Sequence, residues 1–273
     1  MRVSAYIPCY NNFRTVAYTI ESILEQTVPI HELIVIDDGS TDSTCDIIKK
    51  YPVRLIRNEE NKGRGFVRNL AMKECKSQLV LSCDATNCLA IDFLEIAIPI
   101  IQNNENICSI SGSIRSKSIT NTISRWRSRH LFKEYLEHTP NELSNSNLIT
   151  YGTLVKKNIL MSVGNFDKSL RHSEDEEIGL RLKSAKFQSL GHTDLKIFSI
   201  VQNTLPEVLE RYWRWYAGKD EQFTLADYIH SIKASIKPMA KLDIKYKDFA
   251  CIPISLLIPH YFLFKWLKSK VIK

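Results

Sequence analysis

The feature that most constrains this chain is an alternation of two periodicities that begins at its first residues. Short β-rich apolar runs at 3–7, 33–36, 53–56 and 79–82 are separated by helix-spaced segments at 15–26, 43–50 and 66–75. Strand-helix-strand repetition predicts an α/β fold: a Rossmann-like, mostly parallel sheet with helices on both faces. Right-handed crossovers then bring the strand C-termini to one edge, where ligands of open α/β sheets bind. Asp37, Asp38 and Asp84 each follow a strand, so the pattern gathers three carboxylates at that edge.

Further along, the chain changes character. Residues 112–150 are rich in Ser, Asn and Thr, with a basic-aromatic stretch at 125–130 that predicts one helix at about 124–137. From Ser173 the run Ser-Glu-Asp-Glu has the form of a capping box, with Ile178, Leu182 and Ala185 following at helical spacing. Beyond about 205 the chain is helical and lysine-rich and ends in an aromatic tail, so a C-terminal extension follows the sheet domain.

Composition narrows the classes further. The 37 Lys+Arg against 30 Asp+Glu leave a net charge of +7, which suits an anionic ligand, an anionic membrane or nucleic acid. Seven cysteines, an odd number with no C-x-x-C pair, indicate neither a disulfide framework nor a four-thiolate zinc site. They point to reduced thiols in the cytoplasm. The segment at the N-terminus is too polar and too short for the apolar region of a signal peptide, so export is not expected.

Four segments could carry chemistry. Ile34-Val35-Ile36-Asp37-Asp38-Gly39-Ser40 ends a buried strand in two acids, placed either to accept from a base or ribose or to form an Asx turn. Asn61-Lys62-Gly63-Arg64-Gly65, with Arg68 and Asn69 beyond, puts glycines and arginines before a helix N-terminus, without the spacing of a P-loop or dinucleotide fingerprint. Asp84 follows an apolar strand, where an acid can hold a divalent cation or cap a turn. Glu174-Asp175-Glu176-Glu177 crowds four acids into one helical turn, which raises the pKa of at least one by like-charge repulsion and suits a general base.

The order and separation of these segments resemble family 2 of the glycosyltransferases, which have the GT-A fold. Ser4 to Asn11 looks like the opening strand of that family, and Glu32 to Thr44 is similar to its nucleotide segment almost residue for residue. Asn61, Gly63, Arg68 and Asn69 match the entry to the next helix, and Asp84-Ala85-Thr86 stands where a D-x-D motif belongs. Tyr151-Gly152, Val163 to Asp167 and Glu174 to Leu182 match the later block that ends in an E-D pair. The resemblance covers roughly residues 2–190.

That resemblance implies transfer of a sugar from a nucleotide-diphosphate donor to an acceptor hydroxyl, with inversion at the anomeric carbon. It makes Asp175 the base, with Glu174 in reserve. Pro8, Tyr10, Asp37, Asp38, Arg64, Arg68 and Asp84 are the expected donor-binding residues. A divalent cation, Mg²⁺ or Mn²⁺, is expected at Asp84, although Thr86 replaces the second acid of the metal motif. The domains read as 1–204, with a nucleotide-binding half at 1–111 and an acceptor and catalytic half at 112–204, followed by the basic-aromatic extension 205–273. Arg211-Tyr212-Trp213-Arg214-Trp215 only faintly resembles the Q-x-x-R-W motif of processive members, so a single addition is expected, to a glycan or lipid-linked acceptor in cell-surface glycan or glycolipid synthesis.

Two other readings compete. A GT-A protein with its metal motif degraded could bind nucleotide-sugars without transfer. A nucleic-acid partner, suggested by 125–130 and the charge, lacks any recognition motif and is not expected. The tail 249–267 is apolar apart from Ser255, His260 and Lys265 and carries Pro253 and Pro259. It reads first as a peripheral contact with the inner face of the cell membrane, then as a soluble core helix, and last as a span.

Overall fold

Side-chain alternation along three neighbouring strands decides how the fold is layered. In β1 (Val3–Cys9), β2 (Glu32–Asp37) and β4 (Leu79–Ser82), the residues Val3, Ala5, Ile7, Leu33, Val35, Leu79 and Leu81 enter one core. Tyr6, Ile34, Ile36 and Val80 enter a second core on the opposite face. Successive strand residues point to opposite sides of a sheet, so continuous apolar runs require cover on both. On the first face the cover is α1 (Val16–Leu24), α2 (Thr44–Ile48) and α4 (Phe93–Gln102), through Val16, Ile20, Ile23, Ile48, Phe93 and Ala97. On the second it is α3 (Arg64–Glu74), α6 (Lys157–Ser162) and α7 (Glu174–Ser184), through Val67, Met72, Leu160, Ile178 and Leu182.

The computed structural model describes residues 2–136, 139–216 and 223–271. The remaining strands are β3 (Arg54–Arg57), β5 (Asn87–Leu89), β6 (Ile107–Ser116), β7 (Leu143–Ser146), β8 (Thr153–Lys156) and β9 (Gln188–Ser199). Their order is β3-β2-β1-β4-β8-β6-β9-β5, with β7 added beside β9. The parallel pairings of β1 with β2 and β4, and of β2 with β3, lie in the first half of the chain, as the periodicity requires. From β8 onward the sheet is mixed, with β4–β8, β6–β8, β5–β9 and β7–β9 all antiparallel.

The chain divides into two compact units: Met1–Arg115 with His138–Val201, and Ser116–Glu137 with Gln202–Lys273. Residues 116–137, which the sequence reading keeps within 1–204, thus group with the C-terminal helices. The second unit contains α5 (Thr122–His130), α8 (Leu205–Tyr216), α9 (Leu225–Ala234), a π-helical turn (Ser235–Ala240), α10 (Lys241–Lys245), a 3-10 turn (Phe249–Cys251) and α11 (Ile252–Val271). The helix expected at 124–137 is shorter and starts earlier. Asn121 caps it in a reciprocal box with Ser124, and Lys133 in the left-handed region prevents continuation past Leu131.

The basic-aromatic stretch is spent inside this unit. Trp126 is fully buried and donates its Nε1–H to Ser255 Oγ at 2.9 Å, and Ser255 donates to Asp243 at 2.6 Å. Arg129 bonds Asp243 at 2.5 Å and Asp248 at 3.0 Å, and His130 Nε2 lies 2.8 Å from Asp243. Arg127 donates to Asn203 at 2.7 Å.

Candidate active site

At the C-terminal edge of β1, β2 and β4 the first unit forms a cleft of about 290 Å³, lined by Pro8, Tyr10, Asn12, Asp38, Asn61, Arg64, Arg68, Asp84, Thr86 and Arg171 among others. Its position follows from the parallel part of the sheet, whose strand ends open toward one side. Six of the seven residues expected at the donor lie in this lining: Pro8, Tyr10, Asp38, Arg64, Arg68 and Asp84.

Asp37, the seventh, lies outside the lining and is fully buried. Its carboxylate accepts from the Ser40 amide at 3.1 Å and from the Cys45 thiol at 3.2 Å, with Arg57 Nε at 3.5 Å. It stabilises the turn at Gly39, whose φ of 77° belongs to the left-handed region and where a Cβ would come within 2.7 Å of the Glu60 carbonyl carbon. Asp38 faces the cleft and also organises it. Its two oxygens accept from Asn58 Nδ2 at 2.7 Å, Lys62 N at 3.0 Å and Gly63 N at 2.8 Å, which clamps the loop 58–63 against the end of β2.

Arg68, in the middle of α3, is the hub of the site. It is 1% exposed and donates Nε to Glu174 at 2.8 Å and Nη2 to Asp84 at 2.7 Å. Its Nη1 reaches Ser82 Oγ at 3.0 Å and Tyr6 Oη at 3.3 Å. Burial alone disfavours its charge, but Tyr6, Asp84 and Glu174 outweigh that and hold it firmly cationic. The guanidinium fork therefore ties three elements together. One consequence is that Glu174, buried and consumed by Arg68, is the anchor of α7.

Asp175 is left with a different environment. It is half-buried, and its Oδ1 accepts the adjacent Glu176 amide at 3.0 Å. Burial pushes its carboxyl above the ordinary range, the charge of Glu174 adds to the rise, and Arg68 pulls part of it back. Like-charge repulsion thus contributes as the acidic run suggests, but desolvation is the larger cause. The expected capping box does not form. Ser173 has a φ of 60° and its side chain makes no capping bond; separately, Glu177 pairs with Arg181 four residues on.

Two residues escape the sequence reading. Tyr6 reads as a plain strand residue, although its place on the α3 face puts its hydroxyl beside Arg68. Arg171 falls between motif blocks. It donates to the Asn61 side chain and, at 3.2 Å, to the Asn61 carbonyl, so it bridges the cleft's loop. The available signal was one arginine four residues before Asp175.

A divalent cation finds a sparse donor set here. Asp84 is about a quarter exposed and has one oxygen on Arg68, so its other oxygen is open to a ligand. Thr86 adds only a neutral hydroxyl, and among the described residues no group of three or more His, Cys, Asp or Glu could hold a metal. The residues fit a cation held by one carboxylate and completed by donor phosphate and water.

Comparisons with known proteins agree with this geometry. The family model for Glycosyl transferase family 2 matches residues 4–164. Poly-beta-1,6-N-acetyl-D-glucosamine synthase of Staphylococcus epidermidis is 22% identical over 277 residues, covering 99% of this chain and 66% of that protein. Chondroitin synthase of Escherichia coli is 35% identical over 101 residues, 35% of this chain and 15% of that one. The chain thus spans less than two thirds of the length of these relatives. Among solved structures, the mannosyltransferase PcManGT from Pyrobaculum calidifontis, in complex with GDP-Man and Mn²⁺, superposes with a TM-score of 0.62 at 16% identity, covering 96% of this chain and 85% of that one. TarS 1–349 of S. aureus in complex with UDP gives 0.56 at 18% identity, covering 98% and 88%. These structures share the GT-A fold. With most of its sheet and most of the cleft lining inside the matched span, the chain belongs to glycosyl transferase family 2.

Proposed function

We propose that this chain transfers a sugar from a nucleotide-diphosphate donor to a hydroxyl of a glycan or lipid-linked acceptor, with inversion, in the synthesis of a cell-surface glycan or glycolipid. The observation that carries the reading is the division of labour around Arg68. Glu174 and Asp84 are held by the guanidinium, which leaves Asp175 as the half-buried carboxylate of raised pKa beside them. Relatives named for polysaccharide synthesis support the product class, and neighbours solved with UDP and GDP-Man support the donor class.

In this mechanism Asp175 takes the proton of the acceptor hydroxyl through its free oxygen. The acceptor oxygen forms a bond to the anomeric carbon from the face opposite the diphosphate, and the carbon–oxygen bond to the diphosphate breaks with its electron pair. Arg64 and Arg171, exposed at the cleft, place positive charge where the leaving group gains negative charge. Asp38 and Tyr10 hold the nucleoside, Pro8 packs beside it, and Asp84 lies beside the ribose and the cation position. When bound, Mg²⁺ or Mn²⁺ neutralises diphosphate charge, held by the open oxygen of Asp84. The reaction belongs on the cytoplasmic side, where the seven buried thiols stay reduced.

The test is product formation from a labelled nucleotide-sugar with wild type and Asp175→Asn. The variant keeps the shape and loses the base, so turnover should fall by about 10²–10⁴ while donor affinity stays within twofold. Equal turnover in the two proteins rejects Asp175 as the base. Absence of product in wild type across donors, with nucleotide binding intact, favours a non-catalytic nucleotide-sugar binder.

A further inference from the structure

The second unit exposes a series of large apolar side chains in a regular arrangement. On α9, the π-helical turn and α10, the exposed residues Leu225, Ile229, Ile236 and Ile244 are 73%, 45%, 54% and 53% accessible. Ser235, Met239 and Asp243 on the same stretch face inward, with Asp243 fully buried. A uniform α-helix advances about 100° per residue, so it brings 225, 229 and 236 together but turns 244 away by about 60–100°. The π-helical turn at Ser235–Ala240 has wider i→i+5 geometry, which takes up the excess and returns Ile244 to the stripe. Such turns often sit at functional sites.

The same correction acts on charge. Lys233, Lys237, Lys241 and Lys245 are all exposed and recur every fourth residue. On a uniform α-helix they would drift by about 40° per step, and the wider turn removes much of that drift, which leaves them as a row beside the isoleucines. None of the four makes an ion pair among the described residues. Nearby acids are engaged: Asp243 and Asp248 with Arg129 and Arg125, and Asp227 in its helix cap.

A second stripe continues the first. α11 exposes Leu256, Leu257, Phe264 and Leu267, while Ile254, Ile258 and Phe262 face inward. The segments that carry the two stripes touch where Tyr228 Oη of α9 meets His260 Nδ1 of α11 at 3.0 Å, and where Phe223 lies 6.3 Å from Trp266. A lysine row along an apolar stripe is the pattern of a helix lying in a bilayer interface, apolar face down and cations at anionic headgroups.

We propose that this face of the second unit is a docking surface for an anionic lipid bilayer, on which α9–α10 and α11 lie in the plane of the interface. α11 is long and apolar enough to cross a membrane. It is stapled to its own unit, however, by Ser255, which bridges Trp126 and the buried Asp243. A crossing would pull Ser255 from a carboxylate that also binds Arg129 and His130, so the helix lies on the bilayer.

The experiment is sedimentation of the full chain with vesicles of pure phosphatidylcholine and with vesicles containing phosphatidylglycerol, followed by an alkaline carbonate wash. The wild type should pellet with the anionic vesicles and be released by carbonate. Lys233→Gln/Lys237→Gln/Lys241→Gln/Lys245→Gln should weaken that binding on the order of a thousandfold. Ile229→Ser/Ile236→Ser/Ile244→Ser, at exposed positions, should weaken it on both vesicle types while thermal melting stays that of wild type. Binding unchanged by both sets of substitutions, or a wild type that stays in the supernatant with anionic vesicles, overturns the docking surface. Retention after carbonate overturns the in-plane arrangement in favour of a span.

Discussion

At the scale of single residues, Arg68 decides how three carboxylates share one site. One buried cation faces Glu174 and Asp84, and the excess negative charge together with burial falls on Asp175, the group whose pKa rises. Removing Arg68 leaves Glu174 buried without a counter-charge, so Arg68→Ala should cost about 3–5 kcal/mol in urea denaturation, with transfer lost as α7 loosens. The pH dependence has a definite sign. A base must be ionised, so kcat/KM should fall on the acid side through a pKa above the ordinary aspartate value of about 3.9. A carboxyl with a raised folded pKa binds its proton more tightly in the fold than in the unfolded chain, so its contribution to stability is present below the unfolded value and lost as pH rises through the folded one. Asp175→Asn should therefore raise the melting temperature at pH 7, by a margin that shrinks near pH 4. A variant both slower and less stable at pH 7 would contradict this environment for Asp175.

At the scale of elements, α3 is placed by a close approach. A Cβ on Gly65 would lie 2.0 Å from the Asp167 carbonyl oxygen and 2.6 Å from that of Leu170. The Gly65 amide already donates to Leu170 O at 2.9 Å. Gly65→Ala must push α3 from the 165–171 loop, with an expected loss of about 1–3 kcal/mol or more in chemical denaturation and a rise in KM for donor. This is also where the legibility of the sequence has its limit. The runs at 33–36 and 79–82 announced their strands because a strand covered on both faces must be apolar throughout, and Asp38 and Asp84 followed from strand ends. The fate of Ser173 was not legible, because the S-x-x-E spacing does not encode the backbone angle, and Ser173 takes a left-handed φ of 60° that a capping box does not use. Nor was the grouping of 116–137 with the C-terminal helices. It depends on Trp126, Arg129 and His130 meeting Ser255 and Asp243, which are more than a hundred positions away.

At the scale of the whole molecule, each unit is organised by a buried charge cluster, and the two have opposite signs at their centres. In the second unit the centre is Asp243. Burial alone would raise its pKa, but bonds from His130, Ser255 and Arg129 lower it, and Asp248 is lowered first by Arg125. Carboxyls depressed in the fold contribute stability above the unfolded value of about 3.9 that is lost as pH falls through the folded one. Asp243→Ala should cost about 3–5 kcal/mol at pH 7 and less under acid, as read by the loss of far-UV helical signal. In the first unit the centre is Arg68, and its partners come from different stretches of chain. Asp84 is 16 positions from it, while Glu174 is 106 away. Contacts of long sequence separation form late, since loop closure must precede them. During refolding, the Asp84 side of the cleft can form while Arg171 and α7 are still undocked. In refolding, the return of weak nucleotide binding should then precede the return of transfer.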